Sequence, residues 1–204
     1  MIFRPLAATL ALLMLTACEG GPQYLVETAP SSLRVNARVS TVLVRTVSLP
    51  SYAEDQKIAI EDETGVVRDS KFGLWADEPA RAATLRITRN LNTMTNANVA
   101  PEPWPMPEPP QGVVDIRVET FIATKTNTFR LAGQYFMGSE IPEAVLDPED
   151  FDKAPRELPP PLPDKARLFD IVIPMPDSTP GSVATAQSAA LTALSEAIAR
   201  DLAR

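Results

Sequence analysis

The chain has 204 residues, 45% of them hydrophobic and 22% charged, and its 19 Lys+Arg against 26 Asp+Glu leave a formal charge of −7. That length suits one domain with a sizeable core and makes a multidomain enzyme an unlikely fit. An acidic chain also lacks the Lys/Arg field that displaces counterions from phosphates, so nucleic acid is excluded as a partner. There is no histidine, which removes Ser-His-Asp and Cys-His catalysis and histidine-ligated zinc. The single cysteine, Cys18, can form neither an internal disulfide nor a multi-thiolate metal site, so it must do something one sulfur does alone.

Residues 1–17 have the three-part layout of a secretory signal peptide: a basic start (Arg4), an apolar run from Leu6 to Leu15 and small residues at the end. The run is too short to span a bilayer, which takes about 20 apolar residues. It closes on Leu15-Thr16-Ala17-Cys18, which resembles the bacterial lipobox in every position. That resemblance implies thioether lipidation of Cys18 and cleavage before it, with palmitate-type acyl chains anchoring the protein to an outer-membrane lipid surface. The other reading is a buried cysteine in a signal peptide cut elsewhere. Loss of residues 1–17 takes away one charge, Arg4, so the mature chain carries 18 − 26 = −8. By analogy with enteric lipoproteins, Glu19 in place of Asp after the cysteine implies the outer membrane.

Residues 18–32 read as the lipidated N-terminus and a polar tether, and residues 33–204 as one domain, with order beginning at Leu33. Dense β-branched residues predict a strand over Arg38 to Pro50. Short strands follow at Gln56 to Glu61, Gly65 to Asp69 and Lys71 to Trp75, with a turn at Glu63-Thr64-Gly65. Asp77-Glu78-Pro79 starts a helix, and Ala80, Ala83, Ile87, Leu91 and Met94 make one apolar stripe, with Arg81, Arg86 and Arg89 off it. Asp115 to Lys125 alternates, with Ile116, Val118, Thr120 and Ile122 on one face and Asp115, Arg117 and Glu119 on the other. Its hairpin partner, Thr128 to Met137, aligns Phe129, Leu131, Tyr135 and Met137 across a turn at Lys125-Thr126-Asn127. Leu168 to Pro174 is a continuous apolar run of the kind found at a sheet centre. A closing helix from Pro180 to Ala203 turns Leu191, Leu194, Ile198 and Leu202 inward.

Pro101–Pro110 holds six prolines in ten residues and Ile141–Pro163 seven more, so both are surface loops. Trp104 and Met106 in the first either pack back on the domain or meet a partner; the cost of exposing tryptophan favours packing back. The fold class is therefore α+β: a single two-layer domain, a mixed or antiparallel sheet with two long helices packed on it and two Pro-rich surface loops.

The chemistry is sparse. Glu143, Asp147, Glu149, Asp150 and Asp152 cluster without the glycine and alternate-position oxygens of a calcium loop, and read as a solvated acidic loop. No phosphate loop or nucleophile elbow is present. No catalytic residue, metal ligand or cofactor is expected; Cys18 is the one site residue, for lipid attachment.

Several stretches in order resemble the PqiC/YmbA-type family of ABC-type transport auxiliary lipoproteins. They are the lipobox, the run Ser40-Thr41-Val42-Leu43-Val44-Arg45-Thr46-Val47-Ser48-Leu49-Pro50-Ser51-Tyr52 with Lys57-Ile58, the run Leu74-Trp75-Ala76-Asp77-Glu78-Pro79 and the helix ending Arg89-Asn90-Leu91. The strand pair Val114 to Met137 and the final helix ending Ala197-Ile198-Ala199 extend the likeness. The resemblance implies an outer-membrane lipoprotein with no enzymatic activity, working with an MCE-domain protein and an ABC transporter permease that move lipid across the periplasm. Ring-forming partners would also favour a homo-oligomer. The chain departs from the pattern in an acidic hairpin, Glu61 to Val67, and a long loop, Ile141 to Pro163. The alternatives are an envelope-integrity or assembly lipoprotein that chaperones another protein, and a two-carboxylate hydrolase.

Overall fold

The computed structural model describes residues 21–27, 29–139 and 162–204. Its strands are β1 (Gln23–Tyr24), β2 (Thr41–Val44), β3 (Lys57–Glu61), β4 (Val67–Trp75), β5 (Asn98–Pro101), β6 (Gly112–Thr124), β7 (Thr128–Gly138) and β8 (Lys165–Pro174); the helices are α1 (Pro79–Met94) and α2 (Pro180–Leu202). Parallel and antiparallel pairs mix in one sheet, with both helices closing the core, so the expected α+β class is what the molecule has.

The long strand β6 is the hub. One of its edges pairs antiparallel with β7 along its whole length, and β7 pairs antiparallel with β8. The other edge serves several partners in turn. Val42–Val44 of β2 lie parallel to Gly112–Val114, and Ile60 of β3 faces Ala123. Between them Ser48 exchanges hydrogen bonds with Ile116 and Val118, and the Tyr52 hydroxyl accepts from the Phe121 N–H at 3.0 Å. Residues 44–60 thus wrap along β6 and satisfy its backbone, curling the sheet toward a half-barrel. β5 extends the sheet beyond β2, and β4 beyond β3.

Both helices present the expected stripes. Ala83, Ile87, Leu91 and Met94 of α1 and Leu191, Leu194, Ile198 and Leu202 of α2 are buried in the same core as Val114, Ile116, Phe129 and Leu131. Pro79 opens α1, where no backbone donor is needed, although its cap residue Glu78 makes no side-chain cap bond. Where the helices meet, the side chains are small and polar. Thr84, Thr88, Ser188, Thr192 and Ser195 each donate to the carbonyl four residues back, and the Asn90 amide donates across to Thr192 and Ser195. These bonds remove the cost of burying the hydroxyls.

Five expectations change. The strand expected over 38–50 narrows to β2, because beyond Val44 the chain turns to bridge β6 through Ser48. The two short strands at 65–69 and 71–75 are one, β4. Asn98–Pro101 forms β5, its proline tolerated on a sheet edge. The core face of β6 switches partway along it. Val114, Ile116 and Val118 point inward, but Glu119 is an extra residue between the pairs Val118–Gly133 and Thr120–Ala132, so Phe121 and Ala123 join the main core in place of Thr120 and Ile122, and Ile122 is buried apart from it. A bulge shifts the alternation by one residue. Gly133 lies opposite, where an added Cβ would stand 2.2 Å from the Arg117 carbonyl oxygen. Finally, β8 is an edge strand, not a central one. It pairs only with β7 among the described residues, and Leu168 is 83% exposed and Val172 52%.

The sheet has two distinct ends. At one, the β3–β4 turn (62–66), the β6–β7 turn (125–127) and the β8–α2 connection (175–179) lie together. The Lys125 N–H donates to Glu61, Ser178 Oγ donates to Asn127 Oδ1 at 2.9 Å, and the Met175 N–H donates to the Asn127 carbonyl at 2.8 Å. At the other end lie the loop 102–111 before β6, the two ends of the 139–163 connection and the C-terminus of α2. There Ser139 Oγ donates to the Gln111 carbonyl and accepts from the Leu162 N–H. Both Pro-rich segments therefore attach to the same end. Trp104 is half-buried and its indole N–H donates to the Glu108 carbonyl at 2.7 Å, so the ring is held within its own loop.

Candidate functional site

Cys18, the site residue expected from the sequence, lies outside the described residues, as do the acidic residues Glu143, Asp147, Glu149, Asp150 and Asp152. What the structure does show is how the chain from Pro22 onward is held. The segment read as a free tether is bound to the fold from Pro22 onward, so order begins before Leu33. The Leu74 N–H donates to the Pro22 carbonyl at 3.1 Å and the Ala76 N–H to the Tyr24 carbonyl at 2.9 Å. The Arg86 guanidinium donates to the Val26 carbonyl, Thr192 Oγ1 to the Ala29 carbonyl at 3.2 Å, and Ser31 Oγ to Glu196 Oε1 at 2.7 Å. That last bond, from Ser31, holds the Glu196 carboxyl below its ordinary range, with Arg200 assisting. The Val35 N–H then donates to the Met94 carbonyl and the Arg38 N–H to the Leu202 carbonyl. The strap runs over both helices and ties each to it. Arg86, off the apolar stripe of α1 as expected, is half-buried beneath this strap; desolvation, then the neighbouring Arg89, lowers its pKa.

Between strap and α1 lies a half-open cleft of about 570 Å³. Tyr24, Leu25, Val26 and Leu85 make apolar walls, Arg86 and Arg89 a cationic rim, and Gln187 of α2 reaches it from the core. Gln187 is fully buried, and neither amide atom has a hydrogen-bond partner among the described residues. The cleft thus offers apolar walls, two guanidinium groups and a buried amide for contact.

The second polar cluster is a structural knot. Asp201, near the end of α2, accepts from the Tyr135 hydroxyl at 2.8 Å and from Arg167 Nε at 3.1 Å, while Lys165 Nζ donates to its backbone carbonyl at 2.6 Å. Burial opposes ionisation of Asp201, but the Tyr135 and Arg167 bonds outweigh it and keep the carboxyl below its ordinary range. Burial, with this carboxylate next to it, pushes the Tyr135 phenol well above its own. Neither group is poised near neutrality, so the cluster is unsuited to acid–base work. Among the described residues no three acidic or cysteine side chains are placed to share a metal, and no helix is long and apolar enough to cross a membrane.

The architecture is thus a mixed, curled sheet with two helices and a strapped N-terminus. The model of the family described as ABC-type transport auxiliary lipoprotein component matches residues 24–199, so the chain belongs to that family. The match takes in the whole domain from the strap to the last turns of α2, and it bears out the resemblance read from residues 40–52, 74–79 and 89–91. No curated protein sequence matches the chain. Two solved structures share the fold. One, titled as the crystal structure of an uncharacterized protein, has a TM-score of 0.65 at 12% identity, covering 89% of this chain and 98% of its own. The other, protein XCC0632 from Xanthomonas campestris, of family-model DUF330, has a TM-score of 0.51 at 15% identity, covering 88% and 91%.

Proposed function

We propose that the protein is an outer-membrane lipoprotein, acylated on Cys18 after removal of residues 1–17, that serves an MCE-type ABC lipid-transport system as a non-catalytic accessory facing the periplasm. The observation that carries this reading is the extent of the family match, which begins six residues after Cys18 and covers the fold to residue 199. Nearly everything after the lipobox is then one auxiliary transport domain. Several acyl chains on one cysteine, at about 0.8 kcal/mol per buried methylene, make the anchoring durable. The domain contributes contact surfaces, to an MCE-domain protein, to the permease complex or to further copies of itself, where repeated symmetric contacts add up.

Two measurements test the reading. Mass spectrometry of the membrane fraction should find a mature chain starting at an acylated Cys18, and Cys18→Ala should release the protein from membranes. Affinity capture of the tagged lipoprotein in detergent should recover an MCE-domain protein with its permease. A soluble chain with an unmodified Cys18, or capture that recovers no MCE-domain protein from cells expressing one, refutes it.

A further inference from the structure

The described chain begins three residues after Cys18, at Gly21, and already has a direction there. β1 is parallel to β4, with Gln23 opposite Leu74 and Tyr24 opposite Trp75. Followed backward from Gln23, the chain leads along β4 toward Val67 and the 62–66 turn, away from the end that carries the Pro-rich loops. The same register sets Gly21 against position 72. From there to Val67 is five residues, about 17 Å of strand, whereas the three residues back to Cys18 reach at most about 11 Å. A lipid-bearing Cys18 at headgroup level therefore holds the β1–β4 flank within about 11 Å of the bilayer. With the hairpin toward the membrane and the three residues to Cys18 fully extended, Val67 lies about 6 Å past the headgroup level, the difference between those two lengths, which is within the 5–10 Å to which interfacial segments sink. With the opposite end toward the membrane, β6, about 40 Å long, would force roughly twice that depth of polar loop into hydrocarbon.

The side chains at the hairpin end agree with this geometry. Val66 and Val67 are 47% and 44% exposed at the tip, among the few large apolar side chains left in solvent. Lys71 and Lys125 are exposed nearby. Of the acids at this end, Asp62 is paired with Arg68 and Asp69 with Lys57 at 2.9 Å, while Glu63 and Asp177 are exposed and must stay at the aqueous side of the headgroups.

From this we propose that the end formed by the turns 62–66, 125–127 and 175–179 is a bilayer-contacting surface. Val66 and Val67 seat among lipid headgroups, and the loop carrying Trp104 faces away from that membrane. The proposal rests on Cys18 being the anchor. To test it, the full lipoprotein is purified from membranes with Val66→Cys or Glu108→Cys, labelled with an environment-sensitive fluorophore, and reconstituted into phosphatidylcholine–phosphatidylglycerol vesicles with headgroup-attached nitroxide. The label at position 66 should lose most of its emission to the quencher and the label at 108 keep it. Quenching at 108 equal to or above that at 66, in a protein that floats with the vesicles, overturns the orientation alone. A parent chain that fails to float, or whose Cys18 itself takes up the thiol label, overturns the anchor and the orientation with it.

Discussion

Gly133→Ala places a methyl group where the β6 bulge leaves no room. The added Cβ would stand 2.2 Å from the Arg117 carbonyl oxygen, 2.9 Å from Val118 Cα and 3.1 Å from the Glu119 nitrogen. All three are backbone atoms, so no side chain can rotate aside. The bulge would have to open, and with it the register that places Phe121 and Ala123 in the core. Overpacking of this kind costs typically 1–3 kcal/mol, and a φ of +157° at residue 133 adds to it. A loss of about 2–4 kcal/mol is expected, enough to lower the thermal midpoint by roughly 5–15 °C in a domain of this size. Gly181→Ala is the control: its Cβ would meet only Tyr24 Cε1, at 3.9 Å, and it lies in the first turn of α2, where alanine is neutral or better by up to about 1 kcal/mol. Urea melts of residues 21–204 followed by circular dichroism measure both. A Gly133→Ala midpoint equal to that of the parent would show that the bulge is not the tight constraint argued above.

Ile87 is fully buried in the core, so Ile87→Asp should cost more than about 4 kcal/mol and leave little folded protein, seen as loss of near-ultraviolet dichroism. Arg86→Glu should loosen the strap, since it removes the donor to the Val26 carbonyl and sets a second carboxylate near Glu27; faster amide exchange and proteolysis at residues 24–31 would register it, with the core unchanged. Asp201→Asn should lower stability at neutral pH by about 1–3 kcal/mol. Because the folded-state pKa of Asp201 lies below its ordinary value, its contribution is complete above about pH 4 and fades as pH falls through the folded value, so the variant's acid-unfolding limb should be shallower than the parent's.

Periodicity exposed the elements whose burial repeats with their own geometry. The stripe Ala83–Ile87–Leu91–Met94 and the alternation of β7 are read correctly because the large apolar side chains of each share one face, and the large side chains of α2 fall on its predicted stripe although small residues bury further sides of that helix. The same logic misplaces Thr120 and Ile122, since a bulge is set by the partner strand and by Gly133, 14 residues past Glu119. It misplaces β8 as well: Leu168, Val172 and their neighbours have central-strand composition, yet the pairing leaves them at an edge. The strap offered no local signal at all. Its bonds go from main-chain carbonyls and Ser31 to Arg86, Thr192 and Glu196, and nothing in Gly-Gly-Pro-Gln-Tyr announces them. The lipobox resemblance at Leu15–Cys18 lies outside the described residues and is a reading of sequence alone.

The way β6 serves several partners along one edge also dictates an order of assembly. Gly112 joins Val42 at a separation of 70 positions and Ala123 joins Ile60 at one of 63, so the wrapped segment 42–60 has no ladder to complete until the β6–β7 hairpin is made. That hairpin closes locally through three residues and forms quickly, whereas docking residues 42–60 on it waits on long-range loop closure. A chain made N-terminus first therefore emerges with its apolar Val42–Val44 and Val47 unsheltered, and delivers the strand that covers them only after half of the protein has been made. During that interval the early segment lacks the strand it will pack along and needs holding by a chaperone.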